Sequence, residues 1–267
     1  MATYLDRILD RHRELAAADA RDLDTLIWQA AEQPSTRPFA AALRSCPAGE
    51  LAVIGEIKRR SPSLGALNEH LDPAALAATY AAGGAAAVSV LTEEEFFGGS
   101  VWDLQTARAA VSLPVLRKDF TVGQRDVCDA RLMGADCVLL IAAALSADQL
   151  VDLHGLADRV GIEVLVEIHD EPELATALCA GARLVGVNQR DLVTFRVDHE
   201  RAMRMAAVIP DHVTKVAESG VRGAADTRAL QAAGYHAVLV GESLVTAADP
   251  ARVIGQLRGA QGTSEQQ

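Results

Sequence analysis

From Leu51 onward the chain alternates eight times between a short aliphatic run and a longer stretch of helical character. The runs cover residues 52–57, 86–91, 114–117, 137–141, 163–166, 184–187, 214–217 and 237–240. Helical stretches begin near Pro73, Val101, Gln124, Ala147, Pro172, His199, Ala224 and Pro250, several entered through a proline or an acidic residue, as helix starts prefer. Eight such units predict a (β/α)8 TIM barrel of the α/β class. A fourfold recurrence favours the closed form over an open sheet. Gly84, Gly134, Gly181 and Gly234 lie about fifty residues apart, each just before an aliphatic run. A left-handed glycine there ends one helix and feeds the next strand. No Gly-x-Gly-x-x-Gly follows the first run, which counts against a dinucleotide-binding sheet.

The length of 267 residues suits one large domain with a buried core. Residues 1–48 precede the alternation and read as a helical extension packed on the barrel or covering one of its mouths. Thr3 is a candidate N-cap, and Leu5, Ile8, Leu9, His12 and Leu15 share one helical face. A second helix is expected around residues 24–33, ended by Pro34 and Pro38. The barrel would occupy 49–258, with a polar, disordered tail over 259–267.

Several classes are disfavoured. The formal net charge of −11 argues against a general nucleic-acid surface. The N-terminus lacks the apolar centre of a signal peptide, and the longest apolar stretch, 137–145, cannot span a bilayer. Cys46, Cys128, Cys137 and Cys179 form no disulfide-like framework and read as reduced thiols. No histidine pair has metal spacing, so no metal site is expected. His169 alone lies near the strand ends, where it would satisfy a local hydrogen bond. A cytoplasmic protein follows, with no membrane or nucleic-acid partner.

The chemistry collects where the runs end. A barrel core has no use for ionisable groups at the C-terminal ends of its strands, which is where active sites of this fold are built. Glu56 and Lys58 are two apart after the first run, so both face the same way. They form either a rim salt bridge or a pair reaching the pocket. Arg59, Arg60, Ser61, Pro62 and Ser63 follow as a basic, hydroxyl-bearing loop suited to phosphate or carboxylate. Lys118 ends the third run as a solvated loop lysine or a general acid, since desolvation lets an ammonium release its proton more readily. Glu167 and Glu218 end the fifth and seventh runs and can act as base and electrostatic partner across a mouth. Asn188 adds a neutral group for a substrate hydroxyl. Glu171 and Glu173 read as solvated helix acids. Ser219 and Gly220, with Gly241, Glu242 and Ser243, end the last two runs, where barrels of this kind often hold phosphate on backbone N–H groups.

These residues in this order resemble the indole-3-glycerol phosphate synthase family of tryptophan biosynthesis. The resemblance covers essentially the whole chain. It is carried by residues 56–63 (EIKRRSPS), 97–100 (FGGS), 116–120 (LRKDF), 165–167 (LVE), 186–192 (GVNQRDL) and 217–220 (AESG). Gln189 stands where the family often has a second asparagine. The resemblance implies a carboxy-lyase that turns 1-(2-carboxyphenylamino)-1-deoxyribulose 5-phosphate into indole-3-glycerol phosphate, carbon dioxide and water. It further implies Lys118 as general acid at the ketone, Lys58 holding the carboxylate or phosphate side and oriented by Glu56, and Glu167 as acid–base in the dehydration. Asn188 would bond to hydroxyl or carboxylate groups, with Glu218 and Ser219 completing the polar shell. Ser61, Gly220, Gly241 and Glu242 are expected at the phosphate, and Phe97, Phe120, Leu139 and Leu192 around the aromatic ring, with Arg190 also contacting substrate. No cofactor is expected, because the iminium formed on ring closure accepts the electrons released by decarboxylation. A monomer acting on this phosphorylated arylamine is the expectation.

Two other readings compete. A sibling phosphate isomerase would place an aspartate or cysteine pair at the strand ends instead of two lysines with glutamates. A catalytically silent barrel would leave those positions unfilled, whereas every one here is occupied.

Overall fold

The computed structural model describes residues 3–61, 64–191 and 193–259. Helices α1 (Tyr4–Ala18), α2 (Leu23–Ala31) and α3 (Phe39–Arg44) precede a closed barrel of eight parallel strands. The strands are β1 (Ala52–Ile57), β2 (Ala87–Leu91), β3 (Val115–Lys118), β4 (Cys137–Ile141), β5 (Glu163–Ile168), β6 (Leu184–Asn188), β7 (Thr214–Glu218) and β8 (Ala237–Val240). Helices α4 (Pro73–Ala82), α5 (Val101–Ala110), α6 (Gln124–Leu132), α7 (Ala147–Val160), α8 (Glu171–Cys179), α9 (Arg201–Ala206) and α10 (Ala224–Ala232) connect them. The one-turn helix α11 (Glu242–Val245) and then α12 (Pro250–Arg258) follow β8. Closure is made by β1, which pairs with β8 from Ala52↔Ala237 to Gly55↔Val240 and with β2 on its other edge. Gly84, Gly134, Gly181 and Gly234 all take left-handed φ values between 85° and 94°, the turn the repeat predicts.

Side chains alternate with period two along each strand. Ala52, Ile54, Leu116, Leu139, Leu165, Val216 and Leu239 fill the barrel interior. Val53, Val88, Val115, Val138, Val166, Val185 and Val238 face outward against the helices. Aliphatic side chains on both faces explain why the strands read as continuous apolar runs. Four strands end one or two residues later than the runs suggest. The ladder continues through Leu91↔Lys118, Ile141↔Glu167 and Asn188↔Glu218. These polar side chains therefore hang on hydrogen-bonded backbone and not on loops.

The extension touches both mouths. Thr3 caps α1 in a reciprocal box with Asp6. Ile8 and Leu9 are buried, but Leu15, expected on the same face, is exposed. The Tyr4 ring packs edge-on against Phe96, after β2, and Phe195, after β6, at 5.7 and 5.6 Å between centroids. Both loops follow strand C-termini, so α1 lies over that end. Helix α2, capped by Asp22, runs along the outside against α6 and α7. Helix α3 was not expected from the proline-bounded sequence. Its Phe39 and Leu43 join the inner cluster. Its N-terminus has no side-chain cap of its own. Glu163, the first inward residue of β5, supplies it, accepting from Phe39 N at 2.7 Å and Ala40 N at 2.9 Å. Arg44 ties the other end to Thr214 Oγ1 and His212 O at the start of β7. The tail residues 260–267 lie outside the described residues. Among the described residues no helix is long and apolar enough to cross a membrane.

Glu163→Ala should destabilise the protein by about 1–2 kcal/mol, the usual worth of a helix cap, while leaving turnover per folded molecule unchanged. Urea unfolding followed by an activity assay checks both. A loss of turnover without loss of stability would contradict the plug at the N-terminal mouth.

Candidate active site

Above the aliphatic interior, the last inward positions of the strands turn polar together. Glu56 on β1, Lys118 on β3, Glu167 on β5, Asn188 on β6 and Glu218 on β7 all line one cavity of about 400 Å³. Lys118 stands between two carboxylates, its Nζ 2.7 Å from Glu167 Oε2 and 3.0 Å from Glu218 Oε2. Asn188 Nδ2 donates to the other oxygen of Glu167 at 2.9 Å. Lys58, just past β1, pairs with Glu56 Oε1 at 2.6 Å, and both line the cavity, so the rim salt bridge and the pocket pair are the same object. Ser61, Phe97, Phe120, Leu139, Arg190, Ser219, Gly220, Gly241 and Glu242 complete the lining drawn from the expected set. Phe97 and Phe120 lie side by side, tilted at 39° with 6.2 Å between ring centroids, and offer an aromatic wall. Leu192 lies outside the described residues.

Burial pulls the Lys118 ammonium toward neutrality, but Glu167, Glu218 and more distantly Glu56 outweigh it and raise its pKa above the ordinary lysine value. The expectation of a lysine eased toward deprotonation by desolvation is therefore corrected: Coulombic attraction wins, and Lys118 is firmly charged. The two glutamates part company. Burial works against the charge of Glu167, yet Lys118, His169 and the Asn188 hydrogen bond hold its carboxyl below the usual range. Burial pushes Glu218 up; Lys118 works against the rise by charge and hydrogen bond, Glu167 and Glu56 add to it, and the burial effect prevails. Its Oε1 is buried without a hydrogen-bond partner. Three carboxylates and two ammoniums share the site, so one carboxyl group is the natural holder of a proton.

Two glycines make room for this arrangement. A Cβ on Gly186 would stand 2.0 Å from Glu218 Oε1, and one on Gly241 would stand 2.4 Å from Glu56 Oε1. Each is an inward position whose missing side chain is replaced by a carboxylate from a neighbouring strand.

Other expectations are redirected. Arg59 does not join a basic loop at the cavity. Its guanidinium is held by both Asp103 oxygens and by Glu69 O and Leu71 O, because the buried Asp103 needs a counter-ion. Gln189 points away from the cavity and donates to Ser219 O at 2.8 Å, pinning the β7 loop from behind. Ser219 itself takes a left-handed φ of 62°. Glu173 is not simply solvated; it accepts from His169 N at 2.7 Å and lies 3.1 Å from His169 Nδ1. Phe195, His199 and Arg222 also line the cavity and had no sequence signal. The first two lie in the irregular segment between β6 and α9, where no periodicity marks the inward side.

A family model described as indole-3-glycerol phosphate synthase matches residues 5–257. Curated relatives carry the same name. One from Streptomyces griseus is 51% identical, the match spanning 96% of this chain and 94% of that protein. One from Parafrankia sp. is 50% identical, spanning 95% and 94%. Among solved structures, a thiamine phosphate pyrophosphorylase from Pyrococcus furiosus superposes with a TM-score of 0.58 at 16% identity, covering 78% of this chain and 94% of that one. A 3-hexulose-6-phosphate synthase superposes with a TM-score of 0.60 at 17% identity, covering 78% and 99%. At such identities these two structures speak to the fold alone.

The charge surplus has a measurable consequence. Because the Glu218 pKa is raised in the fold, the folded state binds more protons than the unfolded one above the ordinary carboxylate range. Stability contributed by this group is present at low pH and is lost as pH rises through the elevated value. Glu218→Gln should therefore gain in melting temperature relative to the wild type between roughly pH 4 and pH 8. Parallel melting curves across that range would contradict the assignment of the surplus charge to Glu218.

Proposed function

Because the chain belongs to the indole-3-glycerol phosphate synthase family, we propose that it converts 1-(2-carboxyphenylamino)-1-deoxyribulose 5-phosphate to indole-3-glycerol phosphate, carbon dioxide and water. The observation that carries this reading is the Lys118 ammonium held between Glu167 and Glu218 beside an aromatic wall. The substrate offers an arylamine, a carboxylate, a ketone and a phosphate, and the cavity has a counterpart for each.

Ring closure joins the aryl carbon bearing the carboxylate to the ketone carbon, while the nitrogen lone pair forms an iminium. The ketone oxygen takes its proton from Lys118. An alkoxide is basic enough to accept it even from an ammonium with a raised pKa, and the carboxylates that raised it also keep it charged beforehand. The bond to the carboxylate then breaks, carbon dioxide departs, and the electron pair restores the aromatic ring by neutralising the iminium. Lys58, set by Glu56, holds the substrate carboxylate or phosphate side and assists later proton transfer. In the last step the new hydroxyl leaves as water and the adjacent methylene loses a proton, with Glu167 as acid–base and Asn188 bonding to substrate hydroxyls. Phe97, Phe120 and Leu139 pack the aromatic ring, and Arg190, Ser219 and Glu218 complete the polar lining. Ser61, Gly220, Gly241 and Glu242 receive the phosphate, largely through backbone N–H groups. The reaction supplies its own electron sink, so no cofactor is called for. The protein is proposed to work as a cytoplasmic monomer without a nucleic-acid partner.

Turnover of the arylamine substrate, read as the appearance of indole fluorescence, tests the reading directly. Lys118→Met should fold normally and lose about 10²–10⁴-fold in kcat, the usual range for a general acid. Near-wild-type turnover would remove Lys118 from that role.

A substitution at Gly241 reads on two things at once. Sequence alone suggests that Gly241→Val blocks phosphate and raises KM far more than it lowers kcat. The contact with Glu56 adds a second effect, since a side chain there must displace the partner of Lys58. Both constants should therefore worsen. Protection by inorganic phosphate against thermal unfolding, which needs binding to the folded state, should disappear. A variant that kept normal kcat, normal KM and phosphate protection would place the anion elsewhere.

A further inference from the structure

We propose that His169, which does not line the cavity, is a positioning residue for the reaction proposed above: as an imidazolium between Glu173 and Glu167 it keeps Glu167 ionised and aimed once Lys118 has given up its proton. The inference rests on that reaction.

Four observations support it. Glu173 Oε2 accepts the His169 backbone N–H at 2.7 Å and lies 3.1 Å from Nδ1, so the ring is fixed at one edge by a carboxylate. Nε2, at the opposite edge, is buried with no hydrogen-bond partner and stands 4.0 Å from Glu167 Oε1. A neutral ring that donates from Nδ1 to Glu173 would turn a bare nitrogen lone pair toward a second carboxylate in a dry setting, which is repulsive. Protonation removes that conflict. The charged groups facing the ring are Glu167 on β5, Glu173 on α8 and Arg201 on α9. Burial and Arg201 oppose the imidazolium, and the two carboxylates outweigh them, so the ring pKa is raised above that of an ordinary histidine.

The timing follows from the Glu167 contacts. In the resting site its Oε2 is balanced by Lys118 and its Oε1 by the neutral amide of Asn188. When the Lys118 proton passes to the ketone oxygen, Glu167 loses its nearest cation. His169 is then the remaining positive group beside it. A Glu167 left without compensation would take a proton too early and be in the wrong state for the dehydration.

The test compares pH profiles of kcat and KM for the wild type, His169→Gln and Glu173→Gln, with the arylamine substrate. His169→Gln should lower kcat at neutral pH by about tenfold with KM changed less than about twofold, a loss confined to chemical steps. In the wild type kcat should fall as pH rises through the ionisation of His169, and His169→Gln should lack that fall. Glu173→Gln keeps the ring but removes one counter-charge, so the fall should move to lower pH by about one unit. Imidazole ¹⁵N shifts should report the same displacement without recourse to activity. A wild-type profile in both variants would overturn the proposal, as would an equal loss at every pH, the mark of damaged packing. If His169→Gln does not fold, the Glu173→Gln displacement decides alone. Failure of the wild type itself to turn over the substrate would instead strike the proposed reaction.

Discussion

One ammonium between two buried carboxylates sets the terms for everything around it. Taking three such charges out of water is costly, and mutual attraction repays the cost only when the geometry is good and the remaining lone pairs are met. The neighbourhood shows how this is achieved. Asn188 meets one oxygen of Glu167, and Lys118 meets the other. Gly186 withholds a side chain so that Glu218 can reach Lys118 at all. Strand ladders run through these residues, so the backbone positions from which the side chains project are held at fixed spacing. The unequal pKa directions of Glu167 and Glu218 are then a result of the packing, with like charges unable to coexist at full strength so close together.

The N-terminal extension solves a different problem at each end. A barrel open at its N-terminal mouth would expose aliphatic side chains, and α3 covers them with Phe39 and Leu43. At the C-terminal mouth a plug would block the substrate, so α1 lies across the rim instead. Tyr4 joins two loops there, one adjacent to Phe97 and the other containing Phe195. A chain that must reach both mouths has to travel outside the barrel, and α2, packed on α6 and α7, is that passage.

The barrel and its polar ring were legible because both follow period-two and βα rules that local sequence records. Glu56, Lys58, Lys118, Glu167, Asn188 and Glu218 fall at aliphatic-run ends, and all six line the same cavity. Tertiary charge pairing was not legible. Arg59 resembles a cavity cation in sequence, but Asp103, on another element, claims it. Glu173 looks like a helix-surface acid; its pairing with His169, four residues earlier, is local but depends on the turn from β5 into α8. The pKa direction of Lys118 was missed although Glu167 and Glu218 were expected across the same mouth: their distances of 2.7 and 3.0 Å from the ammonium, which let attraction outweigh desolvation, are not written in sequence. Phe195 and His199 sit in irregular backbone, where side-chain direction has no period to follow.

Strand β5 shows how position, and not residue type, divides stability from chemistry. Glu163 and Glu167 are both carboxylates, both on inward positions, one turn of the pleat apart from Leu165 between them. Glu163 lies at the mouth that α3 closes, and its two oxygens are fully engaged by the backbone N–H groups of Phe39 and Ala40. Nothing remains for a ligand. Glu167 lies at the mouth left open, where its partners are side chains that can move and exchange protons. A carboxylate locked by peptide groups contributes rigidity, because a peptide N–H does not give up its proton. A carboxylate facing an ammonium can trade one. The same strand thus anchors the fold at one end and, in the proposed reaction, supplies the acid–base group at the other.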